Sequence, residues 1–300
     1  MFSWLFDKDA VNNIKTLWGD VRSKKLSKFN HQNKVEFLVY NPCMGIEWET
    51  SPLLLKILKF SDDSSDRKDF YNHIFLRNMR DYLESKEFLS KVSNELDAIA
   101  ICAEPSSRQI DHIEGAISLL KEISPELYSV FTSLISMIVP IKYVKYSDRG
   151  SAFSCFDCFG SIFFNVEFFQ ETDRIEVMLA IVHECAHHVL MLYQHCDPII
   201  ESTKDVPIYS PVRKTDRPAI QSFHAMFSLT YMIEVITLAL GSLSKSFNAS
   251  LLSVKLSDYL ENQVKTYDEL LEKCDFTSFG EILLKQIGLQ IKRSKDIIQC

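Results

Sequence analysis

The feature that most constrains the fold is a long apolar segment that ends near Tyr193 and carries the pentad His183-Glu184-Cys185-Ala186-His187 at its middle. Asp173 and Glu176 have the spacing of a capping box at a helix N-terminus, and no glycine or proline interrupts the segment after them. These patterns predict one continuous helix with apolar residues on both sides of the pentad. We expect a helix of this composition to be buried.

The pentad has the spacing of an HExxH metal-binding motif. His183 and His187 lie four residues apart, so both imidazoles point from one face of a helix, with Glu184 close to them. Buried polar side chains need partners, and a bound cation supplies one. The sequence therefore predicts a metal centre at His183 and His187, with Glu184 as the candidate catalytic residue. A chance match among the eight histidines is the competing interpretation.

Composition favours a folded, globular chain of one large domain or two closely packed ones. The 300 residues are 46% apolar, with only 8 glycines and 9 prolines. The net charge of −7 is modest and the basic residues are scattered, so we expect no nucleic-acid partner. The N-terminus lacks a basic stretch followed by a long apolar one, and polar residues interrupt the apolar helices. We therefore expect no membrane association, reduced cysteines and a cytoplasmic location.

The chain divides into two regions of different character. Residues 1–139 show mainly helical periodicity and little recognisable chemistry, whereas residues 140–300 contain all the candidate site residues. We expect the two regions to form one compact unit. The predicted fold class is α+β, predominantly α-helical, with a zincin-like HExxH helix next to a small antiparallel sheet.

The sheet is predicted directly before the HExxH helix. Alternating or β-prone segments occur at 141–146, 151–156 and 161–164. The segment 160–165 can be an edge strand that binds an extended substrate, as in zincin-like folds, or a core strand packed through its phenylalanines. Three further helices are expected near 218–240, 251–273 and 279–298.

The third metal ligand decides the chemistry. Glu201 and Glu234 are the acidic candidates for a zinc peptidase site. We prefer His224, because it lies in the second turn of a predicted helix, shortly after two arginines and among apolar neighbours that leave its presence unexplained. An ordinary buried histidine with a structural partner is the alternative at this position.

A family resemblance emerges from the residues that follow the HExxH helix. They form the series Tyr209-Ser210-Pro211-Val212-Arg213, Asp216-Arg217-Pro218 and Phe223-His224-Ala225. In this order the series resembles the HExxH-type peptide-modification proteins described as 2-oxoglutarate-dependent peptide β-hydroxylases, over roughly residues 175–234. The resemblance implies a non-haem Fe(II) centre and 2-oxoglutarate as cosubstrate. It also implies a peptide or amino-acid substrate, whether free or attached to a leader or carrier.

The resemblance assigns roles to particular residues. The ligands of Fe(II) would be His183, His187 and His224, and the cosubstrate site would lie near Tyr209, Arg213 and Arg217. Three protein ligands leave positions for a bidentate 2-oxo acid and dioxygen, which is the logic of facial-triad oxygenases. The distal carboxylate of 2-oxoglutarate needs a guanidinium fork, which either arginine can provide. Surface ion pairs with nearby aspartates are the alternative for both arginines.

Two other functions stay open at this point. One is a zinc metallopeptidase in which Glu184 acts as general base on a zinc-bound water. The other is a non-catalytic helical binding module in which the pentad is structural. Metal content separates the three possibilities, because Fe(II), zinc and no stoichiometric metal are expected in turn.

Overall fold

The structure is a computed structural model, and it describes residue 9 and residues 100–102, 106–135, 137–143, 151–154, 160–170, 172–194, 196–203, 207–242 and 249–298. Most of the predicted helical region 1–139 therefore lies outside the described residues. Three quarters of the interpretable residues are helical, and the rest include small sheets, so the predicted α+β, mostly helical class is confirmed.

The chain divides into two compact units that are interleaved in sequence. Among the described residues, one unit contains 100–119 and 131–184, and the other contains 120–130 and 185–298. The first of these is called the sheet unit here, and the second is called the helical unit. Two described α-helices precede the helix that carries the pentad, namely α1 (Ser107–Ile123) and α2 (Pro125–Leu134).

The sheet unit contains a four-stranded sheet. Its strands are β1 (Ala100–Cys102), β2 (Met137–Tyr143), β3 (Ala152–Phe153) and β4 (Ser161–Asn165), in the spatial order β1-β2-β4-β3. The outer pairs are antiparallel, as predicted, whereas β2 and β4 run parallel. The second strand begins at 137 rather than at the predicted 141, because apolar residues such as Ile138 continue its buried ladder to β4.

The predicted strand at 161–164 is present, but its interpretation as an edge strand is wrong. β4 pairs with β2 on one side and with β3 on the other, so its backbone groups are used within the sheet. Ile162, Phe163 and Phe164 are fully buried. The phenylalanine-rich sequence therefore reflects packing from both faces, which is the core-strand alternative.

The HExxH helix is the predicted one. α3 spans Arg174–Gln194, and the carboxylate of Asp173 accepts a hydrogen bond from the backbone N–H of Ile175 at 3.4 Å. Its most apolar 18-residue window is 83% buried within the protein. By length and composition, this helix and the helix at Ala219–Gly241 could each cross a membrane. The buried core helices of globular proteins have the same length and composition, so this property does not distinguish the two cases.

Three long helices dominate the helical unit: α4 (Ala219–Ser242), α5 (Ala249–Lys273) and α6 (Ser278–Ile298). All three lie within a few residues of the predicted helices. The buried residues of α5 recur at helical spacing, from Leu252 through Leu256 and Leu260 to Leu270, and this stripe faces the unit's core. Four short strands form two antiparallel pairs: β5 (Ile200–Thr203) with β8 (Cys274–Phe276), and β6 (Ile208–Ser210) with β7 (Thr215–Arg217).

A compact hydrogen-bonded joint connects the chain after α3 to the start of α6. The carboxylate of Asp197 accepts hydrogen bonds from the N–H of Ile199 and from the hydroxyl of Thr277, both at 2.6 Å. Thr277 in turn caps α6, because its hydroxyl accepts the N–H of Gly280 at 2.9 Å. Ile199 has a left-handed φ of 68°, and its carbonyl accepts the N–H of Thr277 at 3.0 Å. These bonds hold an unfavourable conformation for a β-branched residue.

Candidate metal centre

The structure brings two of the three predicted histidine ligands together. His187 on α3 and His224 on α4 lie side by side within the helical unit, with ring centroids 5.4 Å apart and ring planes inclined by 35°. Their Nδ1 atoms are separated by 3.3 Å. The N-terminus of α4 sets this position, because the carbonyl of Pro218 accepts the N–H groups of Gln221 and Ser222 and starts the helix one turn before His224.

The opposite nitrogen of His224 has a second partner. Its Nε2 lies 2.7 Å from Oε1 of Gln194, the last residue of α3. An amide oxygen only accepts hydrogen bonds, so the hydrogen of a neutral His224 ring is on Nε2. The lone pair of His224 is therefore on Nδ1, the atom that faces His187.

Burial keeps His224 neutral. Removal from water lowers the pKa of its imidazole to about 4. A neutral imidazole is the form that binds a metal ion, and metal-bound histidines usually donate their other N–H to a carbonyl or carboxylate oxygen. Two nitrogens about 2.0–2.1 Å from one cation, at ligand angles of about 90–109°, are separated by about 2.8–3.4 Å. The 3.3 Å separation of the two Nδ1 atoms fits this geometry.

His183 and Glu184 lie in the sheet unit, in the half of α3 that precedes His187. Glu184 is 4% exposed, and its Oε2 accepts a hydrogen bond from the hydroxyl of Ser154, just after β3, at 2.6 Å. Its other oxygen, Oε1, is 3.9 Å from Nε2 of His183. Among the described residues no three His, Cys, Asp or Glu side chains converge closely enough to hold a metal ion. The structure thus places His187 next to His224, and His183 next to Glu184.

The acidic candidates for the third ligand are placed differently. Glu234 on α4 is 1% exposed and forms an ion pair with Arg293 on α6. Glu201 is exposed on β5, where it lines a surface cavity. The carboxylate of Glu234 is therefore engaged in a structural contact between two helices of the helical unit.

The predicted cosubstrate residues do not form one cluster. Tyr209 on β6 is nearly buried; its hydroxyl donates to Asn262 at 2.6 Å, and Lys265 lies over its ring at 3.5 Å. These contacts attach β6 to α5. Arg213 is exposed in the turn between β6 and β7, whereas Arg217 is half-buried on β7.

Arg217 lines a cavity of about 640 Å³ in the helical unit. The walls come from β5, from the end of β7 and from the first turn of α4, and no histidine is among the lining residues. They include Glu201, Ser202, Thr203, Asp216, Arg217 and Ile220. Ile220 lies one helical turn before His224 on α4, so the cavity adjoins the end of the helix that carries the imidazole.

Sequence reasoning missed four polar residues around the pentad and α4. Gln194 and Ser154 contact the predicted site residues across 30 positions of sequence, and no local pattern indicates either contact. Arg293 is 59 positions from Glu234. His188 follows the pentad directly and is fully buried, and the apolar residues around it were the available signal for burial.

No known protein-family model matches the chain, and no curated protein matches it. Function therefore has to be inferred from the chemistry of the side chains themselves.

Proposed function

We propose that the protein is a non-haem Fe(II)- and 2-oxoglutarate-dependent oxygenase that hydroxylates the β-carbon of a peptide or amino-acid side chain in the cytoplasm. The observation that carries the proposal is the imidazole pair of His187 and His224, with facing Nδ1 atoms 3.3 Å apart. A buried, neutral imidazole whose other nitrogen is already hydrogen-bonded has the electronic form that a metal ligand requires.

The proposed third ligand is His183, one turn before His187 on the same helix. The residue that α4 places beside His187 is His224, a histidine rather than an acidic residue, and this favours a three-histidine centre. The ion pair between Glu234 and Arg293 supports this choice, because a carboxylate neutralised by a guanidinium is a poor donor to a cation. The zincin-like arrangement of an HExxH helix and a small sheet belongs to this proposal as well.

Bound Fe(II) with 2-oxoglutarate would supply the activation of dioxygen. The chain's own contribution is to hold the metal, to bind the cosubstrate carboxylate and to exclude water. Phe223 and Phe227 lie one residue before and three residues after His224 and are fully buried, so the turn of α4 that carries the imidazole also carries buried apolar side chains. Arg217, in the cavity at the start of α4, is the proposed partner of the distal carboxylate.

A zinc hydrolase is the second candidate, and Glu184 favours it. Its carboxylate is buried, oriented by Ser154 and close to Nε2 of His183, as a general base beside a metal ligand would be. In the oxygenase the same contacts give Glu184 an orienting role toward His183. Zinc content with peptide cleavage would identify this alternative.

The test is anaerobic addition of Fe(II) and 2-oxoglutarate to the purified protein. We expect about one iron per chain and a weak visible absorption band that needs both components. His224→Asn should lose iron, whereas the matched control His112→Asn, at a half-buried histidine of α1, should retain it. Arg217→Lys should retain iron and weaken only the binding of 2-oxoglutarate.

Two other outcomes would refute the oxygenase proposal. Tight zinc binding with no cosubstrate band, and peptide hydrolysis that disappears in Glu184→Gln, would replace the oxygenase by the hydrolase. Protein that binds neither metal stoichiometrically would refute both enzymes.

A further inference from the structure

We infer that Gln194 is a positioning residue of the metal centre: its amide oxygen holds His224 in the Nε2–H tautomer, so that Nδ1 is the metal-binding atom. The inference rests on the proposed metal centre and extends it to a residue outside the HExxH motif. It also specifies which of the two ring nitrogens of His224 binds the metal.

Gln194 can contact His224 because it lies on the same face of α3 as His187. Gln194 lies seven residues after His187, which is close to two full turns, so both side chains leave α3 on the same side. The ring of His224 lies between them. Its Nδ1 meets His187 at 3.3 Å, and its Nε2 meets Gln194 at 2.7 Å.

The end of α3 is itself held in place. The carbonyl of Tyr193 accepts the N–H groups of Cys196 at 2.9 Å and of Asp197 at 3.0 Å, which closes the last turn. Asp197 is then bonded to Thr277 at the start of α6. The backbone next to Gln194 is thus fixed from both sides, and its amide can orient a ring with little loss of further freedom.

A purely structural role for the two imidazoles makes a different prediction. Without a metal, the 3.3 Å contact is a hydrogen bond in which His187 Nδ1–H donates to His224 Nδ1. In that case Gln194 stabilises the fold and nothing else. A cation would instead occupy the space of that hydrogen, and removal of the Gln194 oxygen would affect metal affinity more than stability.

The experiment compares wild type with Gln194→Leu, Gln194→Glu and the control Gln290→Leu, which removes a buried amide from α6. Co(II) binding is titrated by visible absorption, and the histidine tautomers of the metal-free proteins are read from ¹⁵N NMR. We expect wild-type His224 to be the Nε2–H form. We expect Gln194→Leu to mix the two tautomers and to bind Co(II) about 10–100-fold more weakly.

Gln194→Glu keeps an acceptor at the same position and should restore both the tautomer and the Co(II) affinity, while Gln290→Leu should bind Co(II) like wild type. If Gln194→Leu binds Co(II) as tightly as wild type, the positioning role is refuted and the metal centre stands. If wild type binds no Co(II), the proposed function is refuted and the positioning role with it. If metal-free His224 carries its hydrogen on Nδ1, the assignment of the binding atom is wrong, whatever the affinities.

Discussion

Substitution of Arg293 tests how much the stability of the helical unit depends on the ion pair with the buried carboxylate of Glu234. We predict that Arg293→Met lowers the free energy of unfolding by about 3 kcal/mol. Glu234 is 1% exposed, so the variant leaves a carboxylate inside the protein without its cation. Arg293 itself is 40% exposed, and water reaches the pair from that end, which places the cost at the low end of the roughly 3–5 kcal/mol typical of broken buried pairs. For a chain of 300 residues the corresponding fall in melting temperature is about 5 °C.

Urea unfolding followed by circular dichroism measures this loss directly. The matched control is Lys292→Met, at the exposed position next to Arg293, which should change stability by less than about 0.5 kcal/mol. Replacing both partners, in Glu234→Leu with Arg293→Met, should recover most of the loss because no charge remains buried. Equal stability of Arg293→Met and Lys292→Met would refute the reasoning. Loss of bound metal in Glu234→Gln would show instead that this carboxylate is a ligand.

Three further predictions concern single contacts. Ser154→Ala should cost about 1.5–3 kcal/mol in a urea unfolding measurement, because the buried carboxylate of Glu184 loses its hydroxyl donor. Gly280→Ala should destabilise the protein in a thermal melt, because the new methyl group would overlap a backbone carbonyl just before β5, whereas Gly241→Ala meets no atom within 4 Å and should be neutral or stabilising. Burial raises the pKa of the Cys185 thiol to about 12, so iodoacetamide at pH 8 should modify it only after unfolding, as mass spectrometry would show.

The long helices could be predicted from sequence because their signals are local and repeated. α3 has a capping residue, a mostly apolar sequence without glycine or proline and a length of 21 residues, and its predicted and observed starts agree. The strands β5 to β8 have three or four residues each, which is too short for a period-two pattern to stand out. The sequence left open whether β4 is an edge strand or an interior one, because strand order is set by pairing between distant segments.

The same distinction applies to the candidate site. The pentad is a local pattern, and the approach of His224 to His187 was expected from the order of motifs along the chain. The contacts that orient these residues are not local: Gln194 reaches His224, and Ser154 reaches Glu184, each across 30 positions. Such partners depend on how helices and strands pack, so a single sequence does not reveal them.

The joint between Asp197 and Thr277 has a practical consequence for engineering this protein. Asp197 lies three residues after Gln194, and its carboxylate accepts a hydrogen bond from Thr277, the residue directly before α6. A shortened protein that stops before residue 277 would leave that carboxylate without its hydroxyl donor and loosen the chain beside the imidazole pair. Truncation screens and C-terminal fusions should therefore preserve this last helix, because it is part of the scaffold that aligns the two rings.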